Sequence, residues 1–205
     1  MAANIALKRA KKAQKRKQQV AEKRKVEAFD ASLPGQVQRA ARAPIQHCLV
    51  TESLFETGMG MVILARGVTR HHVTFAAFTV DTFCHGIKDV TFASRDGDAF
   101  ELFVDGMALS APAAPAEPSY ARKLLRDLAA WSRSIGFPPH RDFAAVERLF
   151  GDVDAEANDV IFRFGRDGEP FYISGPRDSP ATVQRRLARL RTMYPDGEDG
   201  LESAA

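Results

Sequence analysis

The first thirty residues are the part of this chain that no core can absorb. Between Lys8 and Lys25, ten of eighteen residues are Lys or Arg, and only Glu22 opposes them. Residues 1–30 hold ten basic and three acidic side chains, a balance of +7, whereas the other 175 hold nineteen and twenty-three, a balance of −4. The formal net charge of +3 therefore belongs to a basic arm on a mildly acidic body. Ala, Lys, Arg and Gln all favour helix. Yet Leu7, Val20 and Val26 do not share one helical face, so the arm has no apolar stripe to bury on the body. It is expected to be helical or disordered, and to stand outside the fold.

What remains of the 205 residues suits one domain of roughly 150 residues. Fourteen Phe supply ample apolar volume for a core. Residues 31–44, with Pro34-Gly35, read as a linker, 45–195 as the domain, and 196–205 as a loose acidic tail. Pro at 112, 115 and 118 marks 111–118 as a stiff extended connector and a candidate subdomain seam. Strands are expected at 46–52, 59–66 and 72–81, the last two joined by a hairpin through Gly67-Val68-Thr69-Arg70. In 59–65 and 73–80 apolar residues occupy both parities, which implies central strands covered on both faces. Residues 100–104 fit a strand or a short helix.

The clearest helix is 119–135, with a stripe of Tyr120, Leu124, Leu128, Trp131 and Ile135. Ser119 is its expected cap, and Gly136 with Pro138 its stop. A short helix follows Asp142. Residues 160–164 and 171–173 flank Gly165-Arg166-Asp167-Gly168 and read as a β-hairpin, with Pro170 putting the second strand at an edge. The last helix opens at Ser179-Pro180 and buries Val183, Leu187, Leu190 and Tyr194. The fold class expected is α+β, a largely antiparallel sheet with packed helices, plus the basic arm.

Cys48 and Cys84 make no disulfide framework and point to reduced thiols in a cytoplasmic setting. No apolar run reaches the ~18 residues that span a bilayer, and the basic N-terminus lacks the apolar region of a secretory signal. The arm's chemistry instead points to a polyanion. Clustered cations displace condensed counterions from nucleic acid, which drives binding without reading sequence. The candidate phosphate contacts are Lys8, Arg9, Lys11, Lys12, Lys15, Arg16, Lys17, Lys23, Arg24 and Lys25. Six such contacts would give log K a slope against log salt of about −4 to −5. The expected partner is RNA or DNA, free or within a ribosome or another ribonucleoprotein. A membrane-surface helix would need Leu, Phe or Trp opposite the lysines, and that face is missing. Arg185, Arg186 and Arg189, with Arg191, form a smaller basic patch that would extend the footprint if it lay near the arm's root.

In the body, the densest polar cluster is Val80-Asp81-Thr82-Phe83-Cys84-His85-Gly86-Ile87-Lys88-Asp89. It supports an alternative: a small hydrolase or nuclease centred on Asp81, Cys84 and Lys88, with Cys84 as nucleophile. Adjacent side chains rarely converge, however, and a packed Cys84 beside a turn at Gly86 accounts for the same residues. The pairs His47-Cys48, His71-His72 and Cys84-His85 lack zinc-ligand spacing, so no metal and no cofactor is expected. His140 sits in a helix-to-helix turn. Ser174-Gly175-Pro176 fits a strand-to-helix turn as well as an anion site. Glycine-rich phosphate loops, nucleophile elbows and dinucleotide fingerprints are missing.

Three stretches resemble an uncharacterised bacterial family: residues 60–66 leading into Val80-Asp81-Thr82-Phe83-Cys84-His85-Gly86-Ile87-Lys88-Asp89, then Gly136-Phe137-Pro138-Pro139-His140-Arg141-Asp142-Phe143, and last Pro170-Phe171-Tyr172-Ile173-Ser174-Gly175-Pro176. The resemblance covers about 46–190 and omits the arm. It implies that the body is one module, and it brings no activity with it. The function expected from the sequence is non-enzymatic nucleic-acid binding through the arm. A protein-binding adaptor is a third reading, which an exposed apolar patch on the body would favour.

Overall fold

The computed structural model describes residues 2–69, 71–109, 111–174, 178–193 and 201–203. The arm is one continuous helix, α1 (Ala2–Ala31), of 30 residues, about 45 Å long at ~1.5 Å per residue. It does not end in a flexible linker. Residues 33–40 form a second helix, α2 (Leu33–Ala40), with Ser32 as its N-cap. Ser32 Oγ accepts from Gly35 N–H, and Pro34 sits in the first turn, where it removes no helical hydrogen bond. Pro-Gly, read above as a break, is thus part of a helix start. Val37 on α2 is fully buried in the body's core.

The body is α+β. A five-stranded antiparallel sheet has the order β4-β3-β2-β1-β5. The strands are β1 (Ile45–Thr51), β2 (Met59–Thr69), β3 (His72–Asp81), β4 (Gly86–Arg95) and β5 (Ala113–Pro115), with a one-turn helix α3 (Leu54–Thr57) between β1 and β2. β2 and β3 lie inside the sheet, as their two-sided apolar pattern requires. One face carries Val62, Leu64, Ala76, Phe78 and Val80 and packs on Leu124, Leu125 and Leu128 of α5 (Pro118–Ser134). The other carries Ile63, Ala65, Phe75 and Ala77 and packs on Phe100, Phe103 and Val104 of α4 (Gly97–Ala108). Residues 100–104 are thus helical, and Asp96 caps α4 by accepting from Ala99 N–H.

Several local expectations give way to tertiary structure. β4 was not foreseen. It is an edge strand with a mixed burial pattern, so its apolar signal is weak. The connector 111–118 contains β5, which pairs with Leu49–Thr51 and so belongs to the sheet rather than to a seam. Pro118, not Ser119, starts α5: Glu117 holds the cap position without a side-chain bond. The hairpin expected around 165–168 is absent; only an isolated bridge joins Arg166 to Glu169. Residues 162 and 164 instead stack on Phe55, with Tyr120 edge-on to Phe162 and Trp131 tilted against Phe164.

After α5, a short helix α6 (Phe143–Val146) and a 3-10 turn (Glu147–Phe150) lead to β6 (Tyr172–Ser174), and α7 (Pro180–Met193) follows. Of the tail expected to be loose, Leu201–Ser203 forms β7, parallel to β6; residues 196–200 and 204–205 lie outside the described set, as do Gly175, Pro176 and Tyr194.

Candidate nucleic-acid interface

Along α1 every residue from Gln14 to Ala31 is exposed. Val20, Val26 and Phe29 are 52%, 53% and 48% exposed, so even the apolar side chains find no partner surface. Lys15, Arg16, Lys17, Lys23, Arg24 and Lys25 therefore present their charges to solvent. Among the described residues the one ion pair on this helix is Lys23–Glu27 at 3.8 Å, fully solvated on both sides, and such pairs contribute little. Lys8, Arg9, Lys11 and Lys12 lie on the same helix, with side chains outside the described residues.

The root of the helix is held firmly. Ser32 N–H donates to Phe29 O at 2.9 Å, Gln36 Nε2 to Ala31 O at 2.8 Å, and Arg39 Nη2 to Asp30 O at 2.6 Å. The corner is tight: a Cβ on Gly35 would lie 2.0 Å from Phe29 O. The arm is thus a long cation-bearing rod projecting from a fixed joint.

The second basic patch is elsewhere. Arg186 Nη1 donates to Tyr172 Oη at 2.9 Å and to Asp178 Oδ1 at 2.7 Å. Arg189 places its guanidinium 5.8 Å from the centroid of Phe137; Arg185 is exposed. Leu187 of the same helix packs with Cys84, Ile135, Phe137 and Tyr172, beside the Asp81 end of β3. The arm's root lies by His72, at the strand's other end. Ten residues of strand put the two patches about 30 Å apart at ~3.3 Å per residue. Arg185, Arg186 and Arg189 therefore do not extend the arm's root, and Arg186 is held in a structural network.

No side-chain hydrogen bond among the described residues joins Asp81, Cys84 and Lys88 into a catalytic group, although the charges of Asp81 and Lys88 both reach the Cys84 thiol. Asp81 is 3% exposed, and its Oδ1 accepts from the backbone N–H of Phe83 at 3.0 Å and of Cys84 at 2.9 Å. It thereby organises the turn from β3 to β4, which closes at Gly86 with φ +69°. The same turn anchors the segment that follows α6: Gly165 N–H donates to Thr82 O at 2.8 Å and Phe171 N–H to Phe83 O at 2.9 Å. Cys84 is fully buried. Burial pushes its thiol pKa up, and Asp81 adds to that, with Arg186 and Lys88 opposing. An activated nucleophile needs the reverse. Lys88 Nζ lies 3.9 Å from the sulfur of Met59.

His85 packs its ring against Phe137 and Tyr172, at centroid distances of 4.6 and 5.3 Å. Its Nδ1 is 3.3 Å from Asp81 Oδ2, yet neither ring nitrogen makes a hydrogen bond within the protein. The contact therefore lacks the hydrogen bond that would orient a general base. Cys48 is likewise buried, its thiol pushed up to about 12 by burial and by the Glu117 charge. His140 donates its backbone N–H to Ile87 O at 2.9 Å, tying the turn before α6 to β4. Among the described residues no group of three potential ligands gathers to hold a metal ion. No helix among them is long and apolar enough to cross a membrane.

Besides Asp81, the buried charged residues described in the body are Arg66, Arg122 and Glu147, and Arg126 joins the last two from the surface. Glu147 Oε1 accepts from Arg122 Nε and Arg126 Nε, both at 2.7 Å, while Arg122 also donates to the carbonyls of Gly151 and Val153. The only sequence signal for Arg66 is a lone cation at the end of an apolar run. No family model, no curated protein and no solved structure matches the chain.

Proposed function

We propose that this protein binds nucleic acid, and that it does so without catalysis, through the phosphate backbone on helix α1. The observation that carries this reading is that every residue from 14 to 31 is exposed, with six cations among them and a single ion pair open to solvent. A cationic helix in this state releases counterions on meeting a polyphosphate. The body's buried Arg66 and Arg122, by contrast, already face carbonyl oxygens or a carboxylate. The contact is sequence-independent: lysines and arginines on a helix sense phosphate, and only groups reaching base edges add specificity. RNA, alone or in a ribonucleoprotein, is the favoured partner in a cytoplasmic setting.

Copurification tests this. The full chain isolated at low salt should retain RNA or DNA, which nuclease removes and a wash at about 0.5 M salt releases. Recovery free of nucleic acid, or with only a nuclease-insensitive protein, would reject the reading.

A second reading has its own support. Phe55, Val160 and Ile161 are 38%, 39% and 89% exposed. Val160 and Ile161 line a cleft of about 640 Å³ with Trp131, Phe162 and Phe164, and Phe55 stacks on Phe162. An exposed aromatic surface of this kind suits a protein partner. Replacing Ile161 with Asp would abolish capture of such a partner and leave nucleic-acid retention unchanged.

A further inference from the structure

The arm's root borders a cleft of about 610 Å³, within the size range of small-molecule sites. Its floor is a row across the sheet. Arg66 pairs with Thr74, and Thr74 with Ser94; the next row inward on the same face ends at Phe92. The Thr74 and Ser94 hydroxyls are 2.8 Å apart. One wall is the α1–α2 corner with Arg39, and the other is the β2–β3 hairpin with His72.

The charge of this cleft is unbalanced. Arg66 is 6% exposed. It donates through Nε to Leu149 O at 2.7 Å, through Nη1 to Ala43 O at 2.5 Å and through Nη2 to Phe150 O at 2.7 Å. All three acceptors are carbonyls, and among the described residues no carboxylate forms an ion pair with it. Burial pushes its pKa down, with Asp152 opposing and Arg122 adding to the effect. A buried cation whose hydrogen bonds all go to carbonyls, with only the more distant Asp152 charge to balance it, favours a further anion placed beside it. Arg39, exposed on α2, adds a second cation, and Asp30 is the one acidic residue in the lining. Phe92 and His72 add aromatic rings to the lining, and Thr74 and Ser94 add hydroxyls.

We propose that this cleft seats one unpaired nucleotide of a strand whose neighbouring phosphates lie along α1, with its phosphate toward Arg39 and Arg66 and its base against Phe92 and His72. The inference rests on the nucleic-acid reading and deepens it. A helix studded with cations binds single strands and duplexes alike, whereas a cleft that stacks a base requires that base to be unpaired. The ligand class is therefore single-stranded nucleic acid, or a strand end or loop.

Fluorescence anisotropy of the full chain tests it, with labelled 12-mers of oligo(U) and oligo(dT) and with the oligo(dA)·oligo(dT) duplex. Ser94→Trp fills the cleft and leaves every cation in place. It should weaken single-strand binding about tenfold and duplex binding less than twofold, the scale expected for loss of one stacked base. Unchanged single-strand affinity in Ser94→Trp overturns the cleft while the arm reading stands. Absence of binding to all three probes by the wild-type chain overturns both. Should Ser94→Trp not fold, photocrosslinking of the wild-type chain to a 4-thiouridine 12-mer decides: adducts on Phe92 or His72 are expected, and adducts confined to α1 contradict the proposal.

Discussion

Helix α1 and the sheet obey opposite rules. In the sheet, Val62, Ile63, Leu64, Phe75 and Phe78 are fully buried, and each cation that enters the body meets an acceptor. On α1, from Gln14 onward, nothing is buried and almost nothing is paired. The core needs the sheet and can do without the arm. Charge that folding does not use is retained for something else, and the simplest use of a cationic rod is a polyanion. The comparison also separates two kinds of substitution: those in the body's core should change stability and spare binding, and those on the arm or in the cleft at its root should do the reverse.

The largest expected effect is Glu147→Ala. It leaves Arg122, 8% exposed, without its carboxylate, and should remove about 3–5 kcal/mol of stability with nucleic-acid affinity unchanged once the protein is folded. Burial alone would raise the Glu147 pKa, but hydrogen bonds and charge from Arg122 and Arg126 hold it below its ordinary 4.5. Its contribution is therefore complete above that value and is lost as pH falls through the folded-state pKa. Guanidinium unfolding at pH 7 and pH 3.5 would register this, and Glu147→Gln should flatten the dependence.

Next is the arm. Replacing Lys15, Arg16, Lys17, Lys23, Arg24 and Lys25 with Gln should weaken binding about 100-fold at 0.1 M salt, while thermal unfolding stays where it is. A matched loss of stability would break the contrast by showing that α1 is part of the fold. Gly86→Ala comes third. At φ +69° its Cβ would lie 2.2 Å from Ser132 Oγ, so a loss of about 2 kcal/mol is expected in denaturant titrations. Smallest is Glu27→Gln, which removes one exposed pair. It should move stability by less than about 0.5 kcal/mol and tighten binding slightly, because one opposing charge is gone.

What could be read from residues alone divides along the same line. Two-sided apolar runs placed β2 and β3 inside the sheet, since only covered strands can afford them. The charge split placed the arm outside. Signals failed where the outcome depends on a neighbour. β4 is an edge strand whose opening residues the sequence groups with the polar cluster around Asp81, Cys84 and Lys88. Pro34-Gly35 opens α2 rather than breaking the chain, because Ser32 caps it and Val37 has a core to enter. Phe162 and Phe164 stack on rings from other elements instead of pairing across a hairpin. The Asp81 turn gathers chemically versatile residues, which left a catalytic alternative beside a packed Cys84 and a turn; in the structure Asp81 Oδ1 caps that turn through the N–H groups of Phe83 and Cys84. The cleft beneath the arm is assembled by strand register between positions 66, 74 and 94, and adjacency in sequence carries no trace of it.

The most direct test of the central claim is the salt dependence of nucleic-acid binding by the intact chain. Plotted as log K against log salt, affinity for RNA or DNA should fall with a slope of about −4 to −5 or steeper, the signature of six or more phosphate contacts. A slope near zero, or no binding to either nucleic acid at about 0.15 M salt, would contradict it.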